Sequence, residues 1–215
     1  MKIKIFTLVI LALTLSSCRY GRGVRGNGHV VEKKFTVPAF EKVDLSGIYS
    51  VEISIGNEQS VLVKAEENLM KYLKVKVRNN TLFFDTKRNI SPRKGIKAIV
   101  VLKSLKGINA SGASFAKAKN IDADDISIDI SGASKVEISG SAGNLDLHVS
   151  GAAKLYAKNF VCKKVSADVS GAGNAVINVT EKFYADVSGA GSLSYYGNPN
   201  DFSFDTSGAG SIKKK

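Results

Sequence analysis

The sequence predicts an all-β chain whose C-terminal half is a parallel β-solenoid with coils of about 19 residues. Three observations lead there. Ser-Gly-Ala recurs with its serine at 111, 131, 150, 170, 188 and 207, in steps of 20, 19, 20, 18 and 19 residues. The residues before each Ser-Gly alternate apolar and polar: ISIDI (126–130), LDLHV (145–149), VSADV (165–169), FYADV (183–187) and FSFDT (202–206). A period of two with one apolar face is a half-buried strand, and a fixed repeat near 20 residues belongs to stacked coils. Twenty Gly, three Pro and no Trp suit a turn-rich β protein.

Each element of the coil follows from this alternation. The inward columns align as Ile126, Leu145, Val165, Phe183, Phe202; as Ile128, Leu147, Ala167, Ala185, Phe204; and as Ile130, Val149, Val169, Val187, Thr206. A shorter alternating strand follows each Ser-Gly, as in Val136 with Ile138 and Leu155 with Ala157. One coil is therefore strand, corner, strand and variable return, the returns being 139–144, 158–164, 179–182 and 197–201. The corners are Ser111-Gly112, Ser131-Gly132, Ser150-Gly151, Ser170-Gly171, Ser188-Gly189 and Ser207-Gly208. Each must turn beneath a like corner about 4.8 Å away, where glycine permits the backbone angles and the approach. Parallel stacking is inferred from the repeat; alternation alone also fits antiparallel hairpins.

The rest of the chain divides into three parts. Residues 1–17 read as a secretory leader: Lys2 and Lys4, an apolar run, then small residues. Leu15-Ser16-Ser17-Cys18 resembles a lipobox, which makes Cys18 the lipidation site and the membrane a partner through the lipid anchor. Residues 18–29, rich in Gly and Arg, read as a tether. Residues 30–109 form a less regular β region, either divergent coils or a cap, and residues 110–215 the repetitive solenoid. Strands are expected at 30–36, 42–45, 49–55, 60–65, 74–78, 81–85, 96–102 and 105–109, a hairpin turn at Asn79-Asn80, and a helical turn within 66–73. The pair Ser46-Gly47 matches the later corners.

Composition narrows the partners. The chain carries +12, and without Lys2 and Lys4 the 29 basic and 19 acidic side chains leave +10. An exported basic chain meets anionic lipid or acidic glycan rather than nucleic acid. With Cys18 lipidated, only Cys162 remains, so an intramolecular disulfide or a cysteine metal cluster is excluded.

The segment Phe40, Val43, Gly47, Val51, Ile53, Gly56, the A-E-E-N-L box at 65–69 and the serial SGA corners resemble the head GIN domain family of putative auto-transporter adhesins, common in Bacteroidetes. The resemblance spans about residues 28–212. It implies a right-handed β-helix-like fold of pectin-lyase-like appearance, with no established catalytic site, and an adhesion role.

Candidate chemistry is sparse. Two residues before each corner serine stand Asp44, Asn109, Asp129, His148, Asp168, Asp186 and Asp205, outward by parity. Asp129, Asp168, Asp186 and Asp205 form a candidate weak cation ladder, since hard cations take carboxylate oxygens; the plainer reading is hydrogen bonding to corner backbone or serine. Basic residues Lys135, Lys154, Lys163 and Lys164 read as scattered, no Ser-His-Asp set or phosphate loop is present, and neither enzyme activity, metal nor cofactor is expected. Tyr156, Tyr184, Tyr195 and Tyr196 with Lys154 and Lys158 offer a sugar or peptide surface. The expected function is a non-catalytic envelope lipoprotein, lipid-anchored in the outer membrane, binding glycan or protein; the alternative is a periplasmic structural protein or homo-oligomer.

Overall fold

From Gly107 onward each strand pairs in parallel with the one that follows it around the fold, through residues 17 to 20 positions apart. The computed structural model describes residues 23–215, so the leader and Cys18 lie outside the described residues. From the N-terminal side, β1 (Val24–Arg25) and β2 (Val30–Phe35) precede β3 (Lys42–Gly47), β4 (Tyr49–Ile55) and β5 (Ser60–Glu66). One helical turn, α1 (Glu67–Met70), leads to β6 (Leu73–Arg78) and β7 (Thr81–Thr86). Next come β8 (Ile90–Ser91), β9 (Ile96–Leu102) and β10 (Gly107–Gly112). The long strands β11 (Phe115–Ile130), β12 (Lys135–Val149), β13 (Lys154–Val169) and β14 (Asn174–Val187) follow. The short β15 (Ser192–Tyr196), β16 (Asp201–Thr206) and β17 (Ser211–Lys214) close the chain.

Pairing along β10 to β17 is parallel and in register. Ile108 pairs with Ile128, Ile128 with Leu147, Leu147 with Ala167, Ala167 with Ala185 and Ala185 with Phe204. Like apolar side chains therefore lie on one another, because a one-residue slip would turn every one of them to solvent. The columns Ile126, Leu145, Val165, Phe183 and Ile130, Val149, Val169, Val187 are buried. Burying each such side chain is worth about 1.5–3 kcal/mol, which makes these columns the spine of the core.

Three expectations need correction. The returns at 139–144, 158–164 and 179–182, expected as segments separate from the strands, are themselves strand. Each lies inside one long strand, bent where the register shifts at Gly140 and between Tyr156 and Val161. The reason is that Ala142, Phe160, Cys162 and Val179 also point inward, so the ladder continues through the bend. Phe202 and Thr206, expected inward, are exposed, Phe202 by 58%, because β16 has a bonded neighbour only in β14. And from Gly23 onward the expected tether is held in place. β1 pairs in parallel with β8, and the Gly28 amide donates to the buried Glu66 carboxylate at 2.6 Å. Composition carries no sign of these partners, which come from residues 38 or more positions away.

The A-E-E-N-L box supplies this fastening. Ala65 and Leu69 are buried in the core, Glu66 receives the Gly28 and Arg93 amides, and the Asn68 side chain donates to the Arg25 carbonyl at 2.8 Å. The earlier half keeps the parallel register: Ser111 pairs with Ser46 and Gly112 with Gly47. Antiparallel strands accompany it, β2 on β5, β5 on β9 and β6 on β7. The last pair turns through Asn79 and Asn80, both at positive φ, 46° and 61°, as a two-residue hairpin with right-handed strand twist demands.

Candidate binding faces

The six Ser-Gly-Ala turns come from one local rule. Gly112, Gly132, Gly151, Gly171, Gly189 and Gly208 have φ between 68° and 76°, the left-handed region that other residues enter at a cost. The alanine that follows donates its amide to the glycine carbonyl one turn earlier: Ala133 to Gly112, Ala152 to Gly132 and Ala172 to Gly151, each 2.8 Å. A fourth small residue completes the turn: Ser114, Ser134 and Ala153 are buried there, and Gly173 and Gly191 follow in the same place. The sequence carries that size rule as SGAS, SGAA and SGAG, in the position after each Ser-Gly-Ala. Among the described residues, the only corner-serine hydroxyl that reaches the earlier turn is that of Ser111, at 3.4 Å from the Leu45 carbonyl.

These turns divide the outer surface into two faces. On the strands before the turns, Asp44, Asn109, Asp129, His148, Asp168, Asp186 and Asp205 do form one in-register column. His148 sits between Asp146 at 3.5 Å and Asp168 at 3.7 Å, and Asn109 donates to Asp44 at 3.4 Å. Asp44, Asn109, Asp129 and His148 of this column line a hollow of about 240 Å³ with Ser111, Ser131 and Ser150. Among the described residues no three His, Cys, Asp or Glu side chains converge as a metal site. Farther along this face the Tyr184 hydroxyl donates to Asp201 at 2.9 Å, and Lys182 pairs with the same carboxylate at 3.2 Å. The hydroxyl first, then the ammonium, holds the Asp201 carboxyl below its ordinary pKa. Tyr184 is thus engaged by its own surface.

On the strands after the turns the outward residues are different. Lys135 pairs with Lys154, and Lys117 with Glu137, which pairs with Tyr156. Lys135 and Lys154 are therefore neighbours in one column, not scattered as expected. Glu137 lies between Lys135 at 2.7 Å and Lys117 at 3.3 Å, and the Lys135 hydrogen bond holds its carboxyl below the usual range. The Lys135 ammonium stands 4.9 Å from the centre of the Tyr156 ring and 5.4 Å from that of Phe115. Lys158 stands 4.8 Å over Tyr196. Between them runs a trough of about 300 Å³ lined by Lys117, Lys119, Glu137, Tyr156, Lys158 and Asn159. Tyr195, which its alternation with Leu193 places inward, packs against Phe183 with ring centres 5.1 Å apart and so leaves the surface set of tyrosines.

The hairpin β6–β7 adds a third hollow, about 400 Å³, where Lys74, Lys76 and Arg78 meet Asp44 and Asp85. The sequence reading named none of these three cations, though their alternation in LKVKVR puts them on one side of the strand.

The comparisons with known proteins agree with this architecture. The chain superposes on the crystal structure of a putative adhesin from Bacteroides fragilis with a TM-score of 0.75 at 23% identity, covering 90% of this chain and 100% of that one. A putative adhesin from Parabacteroides merdae gives 0.59 at 17%, covering 91% and 100%. A putative lipid binding protein from Parabacteroides distasonis gives 0.55 at 19%, covering 90% and 100%. At these identities the likeness is one of fold. No curated protein matches the chain. The family model "Putative auto-transporter adhesin, head GIN domain" matches residues 39–199, three quarters of the sequence, and the chain belongs to that family.

Proposed function

We propose that this protein is a non-catalytic binding module of the cell envelope that adheres through the flat outer face of a β-solenoid to an extended ligand, glycan or protein. The observation that carries the reading is the parallel pairing from Gly107 to Lys214, which stacks the outward side chains of successive strands in columns, the one from Asn109 to Asp205 being mostly aspartate. A surface of that kind meets a long partner at many equivalent points, where a pocket would meet a small one. In this reading the coils are about 19 residues long, the Ser-Gly-Ala turns are their corners, β2, β5 and β6 cap the first coils, and Cys18 carries the lipid that holds the module at the outer membrane.

Two measurements test it. Proteinase added to intact cells removes the protein if it faces outward, and leaves it until the outer membrane is broken if it faces the periplasm. A panel of neutral and charged glycans, with matrix proteins, then finds a ligand if adhesion is the role. The runner-up, a structural or self-assembling envelope protein, is favoured by one observation: β16 and β17 each have one bonded neighbour, and Phe202 is uncovered there. Concentration-dependent association without any ligand would support it.

A further inference from the structure

We propose that the ligand face is the outer surface of the strands after the turns, and that it takes an anionic polysaccharide laid across the rungs. This rests on the binding reading above and adds to it a face and a chemistry.

The two faces differ in charge along the stacked strands, although at the edge of the aspartate side the hairpin β6–β7 adds Lys74, Lys76 and Arg78 against Asp85. Before the turns, from β3 to β16, the outward ionic residues are mostly aspartates: the column headed by Asp44, and beside it Asp125, Asp146 and Asp201, against Lys42, Lys164 and Lys182. After the turns, from β9 to β14, they are Lys97, Lys117, Lys119, Lys135, Lys154 and Lys158 against Glu52 and Glu137. The basic excess of the chain is thus not spread evenly. A polyanion is attracted to one face and repelled by the other.

The lysines are also available. Glu137 neutralises Lys117 and Lys135, but among the described residues Lys97, Lys119, Lys154 and Lys158 have no carboxylate within 4 Å. Lys97, Lys135 and Lys154 share one column with Ser50 and Phe115, and Lys119 stands four residues along the strand from that column, in register with Ser54. With rungs about 4.8 Å apart, a polymer with one charge per sugar laid across them can satisfy several together. Tyr156, 45% exposed, offers an apolar plate at the wall of the trough formed by Lys117, Lys119 and Lys158. Lys135 over Tyr156 and Lys158 over Tyr196 have their stems already laid on rings, which reduces the freedom lost on binding. The chemistry favours sugar over nucleic acid: this face carries no arginine fork, and its exposed rings do not succeed one another at each rung as stacked bases require.

The test uses the full chain and, as probes, polygalacturonate, heparin, neutral dextran and a single-stranded DNA oligomer. The expected result is binding of a polyanionic glycan that weakens about tenfold or more when Lys119, Lys154 and Lys158 are all changed to Gln, and again at high salt. Tyr156→Ala weakens it further. The control changes Lys42, Lys71 and Lys164 to Gln, an equal charge loss off this face, and leaves affinity within about twofold. Thermal unfolding checks that each variant is folded. Equal loss in the control means that net charge alone attracts the polymer, and overturns the inference. Unchanged binding by the first triple variant overturns the face while the binding role stands, and tightest binding to dextran or to DNA overturns the chemistry. Failure to bind anything in the panel, with wild-type association that the triple variant abolishes, overturns both and makes the partner a second copy.

Discussion

Gly171 lies so close over Gly151 that a Cβ built on it would sit 2.9 Å from the Gly151 carbonyl oxygen. That oxygen already receives the Ala172 amide at 2.8 Å. Two costs then fall on a side chain at this position: the left-handed φ of 70°, about 1–2 kcal/mol, and the clash. Gly95 separates them, since its φ of 72° is alike but a Cβ there meets nothing within 4 Å. Gly95→Ala is expected to cost about 1 kcal/mol and Gly171→Ala clearly more. Urea midpoints of the two variants measure it; equal losses would show that the stacking is not tight.

Phe183 and Phe202 are direct partners in the parallel ladder and stand in the same inward column. Their environments differ completely, Phe183 being fully buried and Phe202 58% exposed. Phe183→Ala is expected to destabilise the protein by about 3–5 kcal/mol, Phe202→Ala by about 1 kcal/mol or less. Parallel denaturation curves decide this. A large loss at Phe202 would mean that something covers the last rung in solution.

The comparison of these two phenylalanines also shows what the sequence can and cannot carry. Alternation placed both inward, because parity is a local property of the strand. Burial is not local: it needs a next rung, and Phe202 has none in β16. The column from Asp44 to Asp205 was legible because one repeat fixes every register in it. The lysine column Lys135–Lys154 was equally present in the spacing, but it becomes a face only when two alternations, before and after each turn, are read together. The Glu66 fastening could not be read at all. Its partners Gly28 and Arg93 are backbone amides, which any residue except proline supplies, so no side chain announces them.

Cys162 gives a prediction from burial alone. Its side chain is 1% exposed, and desolvation pushes the thiol up to about 12. From an ordinary value of 9.0, that reduces the reactive thiolate about a thousandfold at mild pH. With Cys18 replaced by Ser, native protein at pH 8 is expected to resist thiol reagents and to react at once in denaturant. Rapid labelling of the folded protein would show that the return segment around Cys162 opens.

Glu66 sets the acid stability. Burial alone would raise its carboxyl pKa. The Arg93 amide at 2.7 Å, the Gly28 amide at 2.6 Å and the Lys94 amide outweigh that, and leave it below the ordinary value. A carboxyl with a lowered folded pKa stabilises the fold at pH above its unfolded value, about 4.3, and that contribution disappears as pH falls through the folded value. Glu66→Gln keeps the shape but removes the titration, and its amide can present a donor where two backbone donors need an acceptor. The variant is therefore expected to be less stable than wild type at pH 7, with the gap narrowing below about pH 4 as wild-type Glu66 takes up its proton. Because the carboxylate fastens residues 26–28 to the loop at Arg93, proteinase cleavage within 23–28 should rise over the same interval. Urea midpoints at a series of pH values, with timed proteolysis beside them, read both effects. A stability gap that stays constant from pH 7 to pH 3 would show that Glu66 acts through its shape rather than its charge.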